Sequence, residues 1–199
     1  MSAALKRHFG QDVARDYDHD PVNADHRLSE PPSLPDHARA VHGHFRADRY
    51  VACRRAFQFT FLRDLVAKLI STHFFWRRSS PRGSPTHDRF LDQRPSVLDF
   101  ARYCWPLRRL MSMSYFGGVD INSLKFVDSY ETSVRDLARL SKTLTISLAA
   151  ETYQNRTPPD DERTALADDT KTPAALKSIL ADEVFFCEKV RERRGLMSS

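Results

Sequence analysis

"AFQFTFLRDLVAKLISTHFFW", residues 56–76, carries two periods back to back. Phe57, Phe59 and Phe61 alternate with smaller or polar residues, which is the signature of a strand with one buried face. From Leu65 onward the apolar residues Leu65, Val66, Leu69, Ile70 and Phe74 recur at helical spacing. Arg63-Asp64 is left as a tight turn, and the spacing predicts a helix running to about Trp76. The same order returns at "LKFVDSY" (124–130), a strand, followed by Val134, Leu137, Ala138 and Leu144 on one helical face. Strands that alternate with helices imply an α/β domain built on a parallel sheet.

The flanking sequence fits around these two units. Residues 1–10 have an amphipathic helical pattern, and 18–40, rich in Pro, Asp and His without an apolar period, reads as a loop. "SSPRGSPTHD" (79–88) reads as a second, Pro/Gly-broken loop. Ser96 with Asp99 three residues later is a capping pattern, and Val97, Phe100, Ala101 and Cys104 supply the buried stripe of the helix it opens. Thr172-Pro173 reads as a cap with proline at the first helical position, starting one long closing helix through Leu176, Ile179, Leu180, Cys187 and Val190. No internal repeat is visible. The 199 residues, 41% hydrophobic with thirteen Phe, suit a single domain over 1–199 with a real core. No apolar run approaches the ~18 residues of a membrane span, and the N-terminus lacks an apolar signal core. A cytoplasmic protein without an integral membrane segment is therefore expected. Cys53, Cys104 and Cys187 are odd in number and far apart, which argues for reduced thiols and against a zinc ribbon.

The net charge of +5 is concentrated: arginines crowd residues 46–109, whereas "PPDDERTALADD" (158–169) is acidic. A basic middle suits an anionic ligand, and it equally describes a solvated surface. A nucleic-acid partner is not expected, because no helix-turn-helix, zinc or RNP-like pattern is present. Open α/β sheets bind anions at the carboxyl ends of their strands, where helix N-termini present free N–H groups. Arg63 lies at such a point and Ser71 lies eight residues on. An arginine fork and a hydroxyl suit a phosphate; the alternative is that Arg63 pairs with Asp64 or another nearby acid. His42-Gly43-His44 raises three possibilities: a metal clamp, a proton-handling site, or ordinary loop histidines. A metal is not expected, since no paired Cys, His or acidic cluster supplies further ligands. The other six histidines, His73 and His87 among them, read as surface or packing residues.

"HGHF" (42–45) followed by "FTFLRDLVAKLISTHFFWRR" (59–78) resembles the sulfotransferase family that includes the uronyl and heparan sulfate 2-O-sulfotransferases and their bacterial relatives. "LKFVDSYETSVRDLARL" (124–140) is similar to that family's later strand-helix, "TYQNRTPP" (152–159) to the loop before its C-terminal helix, and "LKRHFGQDVARDYD" (5–18) to the helix and loop after its first motif. The resemblance runs over most of the chain, and 42–76 is its specific part. Leu65 stands where the family usually has proline.

The resemblance implies a P-loop-NTPase-like parallel sheet flanked by helices, and a donor, 3′-phosphoadenosine 5′-phosphosulfate, whose 3′-phosphate is held by Arg63 and Ser71, with Arg156 as a further donor-binding residue. It implies His44 as the general base that takes the acceptor hydroxyl proton, His42 assisting it, and Gly43 allowing close approach of the acceptor. It implies no metal. The partners expected are the nucleotide donor and a hydroxyl acceptor of the carbohydrate class; the acceptor's identity and the oligomeric state stay open. The family's first strand ends in a Pro-Lys-Thr-Gly-Gly-Thr-like loop around the 5′-phosphosulfate, and no such segment occurs here; Gly117-Gly118 has no lysine or hydroxyl placed for the task. The expectation is thus a domain whose N-terminal strand and phosphate loop are missing, with a catalytically degenerate module that binds an anionic glycan or nucleotide as the alternative.

Overall fold

The computed structural model describes residues 2–16, 34–43, 45–50, 53, 55–81, 85–103, 115–116, 119–131, 133–148 and 161–196. His44, Arg156, Cys104, Gly117-Gly118 and most of the 18–40 loop lie outside them.

In chain order the elements are α1 (Ser2–Phe9), β1 (Val13–Asp16), β2 (Ala40–Gly43), β3 (Phe59–Leu62), α2 (Leu65–Arg78), α3 (Pro85–Gln93), α4 (Val97–Tyr103), β4 (Phe126–Ser129), α5 (Ser133–Leu144), α6 (Asp161–Asp168), α7 (Lys171–Ile179) and α8 (Ala181–Arg193), with single 3-10 turns at Gly10–Asp12, Ala47–Tyr50 and Ile121–Ser123. The chain is mixed α/β. Instead of one parallel sheet, the described strands form two sheets of two, β1 beside β2 and β3 beside β4, each pair parallel. Phe59 registers with Phe126 and Leu62 with Ser129, so the turn after β3 and the turn after β4 emerge side by side.

The pleat of β3 and β4 sorts the core into layers. Phe57, Phe59, Phe61 and Phe126 face one side, where Leu5 of α1 and Leu137 and Leu140 of α5 cover them. Leu62 and Val127 face the other, against Ile121, Leu124 and the α8 residues Cys187 and Val190. A third cluster joins α2 to α3, α4 and α7 through Val66, Leu69, Phe90, Phe100 and Leu176. The α5 stripe differs from the sequence reading at one place, since Ala138 is exposed and Leu140 is buried instead.

The strand–turn–helix unit forms as its periods predict, and its helix continues two residues past Trp76. Asp64 is the cap: its carboxylate accepts the Ala67 N–H at 2.7 Å. The Ser96 cap also forms, with the Asp99 N–H donating to its hydroxyl at 3.2 Å. Two expectations are corrected. The loop at 79–88 stops at Pro85, which opens α3 as a first-turn proline and leads to buried His87 and Phe90. The closing helix is two helices, α7 and α8, broken at Leu180. α7 begins at Lys171, so Pro173 is third in the helix and not first, and the Asp169 carboxylate just ahead accepts from the Lys171 and Thr172 amides at 2.8 and 3.0 Å. Among the described residues no helix is long and apolar enough to cross a membrane.

Gly43 is required by strand spacing. A Cβ there would lie 1.5 Å from the carbonyl oxygen of Asp16 on β1, so the close approach it permits is to the neighbouring strand. Because a backbone atom is in the way, side-chain rearrangement cannot relieve the clash. Gly43→Ala should cost roughly 1–3 kcal/mol, the scale of overpacking, read as a lowered urea midpoint with an unchanged slope. An unchanged midpoint would show that β1 and β2 separate freely.

Candidate functional site at the carboxyl edges

Both sheets present their carboxyl ends as polar ground, and each is built by residues remote in sequence. At the end of β1, Asp16 is fully buried. After β2 the chain turns back through the 3-10 turn and plants Arg49 and Tyr50 on it. The Tyr50 hydroxyl donates to Asp16 Oδ2 at 2.7 Å, and Arg49 Nε lies 2.8 Å from the same oxygen. Burial first, and then the Asp16 hydrogen bond and charge, hold the Tyr50 phenol far above its usual range, so it stays a donor. Phe45 packs edge-on against the Tyr50 ring. His42 is half-buried on β2, in register with Arg15. The segment after the two histidines is thereby anchored to β1.

At the end of β3, Arg63 occupies the turn and its guanidinium lies over the Tyr130 ring, 5.2 Å from the centroid. Among the described residues Arg63 makes no ion pair with a carboxylate; the sequence alternative of an Arg63–Asp64 pair is not what forms. The carboxylate that approaches the turn is Glu131, just past β4. It accepts the Asp64 N–H at 2.7 Å and the Ser129 hydroxyl at 2.5 Å, with Arg191 of α8 at 3.6 Å. Partial burial opposes its ionisation, but these bonds and the Arg191 charge hold Glu131 below the usual carboxylate range.

Ser71 is half-buried two turns into α2. Eight residues at full helical rise would span ~12 Å; Arg63 stands in the turn before α2, and its long side chain and Ser71 bound one stripe. At helical spacing that stripe runs from Asp64 through Ala67 and Lys68 to Ser71. Lys68 therefore stands between the two, a residue that the sequence analysis did not single out. Its ammonium lies 5.2 Å from the Tyr115 ring centroid. Desolvation lowers its pKa to about 8; the Arg63 charge adds to that fall and Glu183 works against it. Lys68 thus remains mostly protonated at neutral pH while paying part of its hydration, the condition in which a cation gains most from an incoming anion. The Cys187 thiol, buried beneath it, is pushed up to about 11 by desolvation and stays neutral.

No protein-family model matches the chain, and neither a curated protein nor a solved structure resembles it closely enough to count as a relative.

Other polar groups have structural work. His73 and His87 are buried in the α2–α4 cluster, with their Nε2 atoms 2.9 and 3.0 Å from the carbonyls of Pro95 and Trp76. These are packing histidines, and burial lowers the His73 pKa. Asp128 and Asp136 are fully buried between β4 and α5, where Arg139 bonds Asp128. Burial raises Asp128, and the Asp136 carboxyl adds to the rise. Among the described residues, no three His, Cys, Asp or Glu side chains converge as a metal site would need.

Proposed function

We propose that this protein is a sulfotransferase that moves a sulfuryl group from 3′-phosphoadenosine 5′-phosphosulfate to a hydroxyl acceptor of the carbohydrate class. The observation that carries the reading is Arg63: a cation at the carboxyl end of a parallel strand, directly before a capped helix, without a carboxylate ion pair among the described residues. An arginine in that place suits a phosphate, whose oxygens accept its forked N–H groups. Ser71, farther along the same face of α2, is the hydroxyl of the pair, and Lys68 between them adds positive charge. The parallel β3–β4 pair with helices on both faces supports the reading.

In the proposed reaction the acceptor oxygen attacks sulfur in line, the S–O bond to the donor phosphate breaks, and adenosine 3′,5′-bisphosphate leaves with the bonding electrons. His44 takes the hydroxyl proton, His42 orients it, and Arg156 adds a donor contact. A neutral imidazole is matched to that proton transfer near pH 7. Binding without turnover is the second reading, favoured by the lack of a Pro-Lys-Thr-Gly-Gly-Thr-like segment in the 199 residues.

Calorimetry with adenosine 3′,5′-bisphosphate tests the donor site. Arg63→Ala should weaken binding by about 1.5–3 kcal/mol, the scale of a lost hydrogen bond to a charged group. Equal affinity in wild type and variant would remove Arg63 from the site and the reading with it.

A further inference from the structure

We propose that Glu131 is the positioning residue that holds Arg63 ready for an anion; this deepens the reading of Arg63 as a phosphate ligand and rests on it. The amide that Glu131 accepts belongs to Asp64, the residue immediately after Arg63. Its carboxylate therefore fixes the peptide from which the Arg63 side chain departs. The preceding residue, Tyr130, carries the Arg63 guanidinium on its ring. Residues 129–131 thus hold both the backbone and the side chain of a single arginine, and they are brought beside it by the parallel register of β3 with β4, which ends at Leu62 opposite Ser129.

The charge of Glu131 is spent on the Asp64 N–H, the Ser129 hydroxyl and Arg191 of α8. It orients Arg63 without neutralising it. An arginine loses much rotamer freedom when a ligand fixes it, and a turn already fixed lowers that cost at binding. Glu131 ties β4, the β3–α2 turn and α8 together at one carboxylate, so the arrangement is also cooperative: loosening one contact frees the others.

The experiment uses the full chain with Glu131→Ala, Glu131→Gln, Arg63→Ala and the double variant Arg63→Ala/Glu131→Ala. Two readouts are taken: the dissociation constant for adenosine 3′,5′-bisphosphate, and the Arg63 Nε–H resonance in ligand-free protein, assigned by its loss in Arg63→Ala. Glu131→Ala should weaken binding roughly tenfold, within the range of coupled neighbours, and should move the Arg63 signal toward that of a free side chain as it leaves the Tyr130 ring. Glu131→Gln keeps an oxygen for the Asp64 amide and should recover most of both, and it serves as the folded variant if the alanine protein is too unstable. In the double variant the loss should be no larger than in Arg63→Ala alone.

Tighter binding in Glu131→Ala would overturn the proposal and make Glu131 a competitor for the anion site. An Arg63 signal unmoved in both Glu131 variants would overturn it as well. Loss of affinity in Arg63→Ala with none in Glu131→Ala would sink the positioning role while keeping the donor site. A wild type that fails to bind the bisphosphate would sink the donor site, and the Arg63 signal would still decide whether Glu131 holds the arginine.

Discussion

Asp16→Ala is expected to cost about 3–5 kcal/mol of folding stability, the penalty for leaving one partner of a buried ion pair behind. The Asp16 carboxylate is fully buried and the Arg49 side chain is only 8% exposed, so water cannot take over from the lost partner without opening the β1–β2 edge. Tyr50→Phe should cost less, because it deletes one hydroxyl and leaves the ion pair in place. Urea unfolding of the three proteins measures this directly. A loss below about 1 kcal/mol in Asp16→Ala, the value of an exposed pair, would mean that solvent reaches Arg49 and that the turn at 47–50 is not anchored as described.

The second large effect is expected on turnover. In a polypeptide that carries a Lys-Thr-Gly-Gly-Thr-type segment ahead of Met1, His44→Ala should reduce sulfate transfer from labelled donor by ~10²–10⁴, the contribution of a positioned general base. Donor affinity should barely change, because the proposal gives the donor to Arg63 and Ser71 and the acceptor to the histidine. His42→Ala should cost less if it only orients its neighbour. Equal rates for wild type and His44→Ala would take the histidine out of the mechanism. For the 199 residues alone little or no transfer is expected from either protein, since oriented donors on the transferring group are commonly the largest catalytic contribution.

Much of the frame was legible because its signals are local. Phe57, Phe59 and Phe61 announce a strand face by simple alternation, and Leu65, Val66 and Leu69 announce a helix face directly after the turn. β1 and β2 were not legible as a pair. "VARD" and "AVHG" are four residues each, without alternation, and their pairing is fixed by a glycine whose missing Cβ matters only when Asp16 lies beside it. The break at Leu180 hides for the opposite reason: Leu180 and Val184 continue the apolar period, so nothing in the pattern marks the end of one helix and the start of another. In the candidate site, Arg63 could be found from its place between strand and helix. Asp16, Lys68 and Glu131 could not, because a carboxylate or an ammonium in a polar stretch looks exposed until a distant segment covers it. Glu131 touches the Asp64 amide across a register that no local pattern encodes.

The coverage of the β3–β4 face by α1 has a consequence for how the chain is made. Ala4 and Leu5 are buried against Leu137, Leu140 and Leu148, while β3 waits for β4, whose Phe126 pairs with Phe59. During synthesis α1 leaves the ribosome with an apolar stripe, and Leu137, Leu140 and Leu148, which complete its cover, follow much later. Closing so long a stretch of chain before any contact rewards it is slow, and parallel pairing makes it slower. The α2–α4 cluster can begin to collect in the meantime from contacts close in sequence. α1 is therefore made well before the α5 residues that cover it, and in that interval its stripe is open to a chaperone or to another unfinished chain.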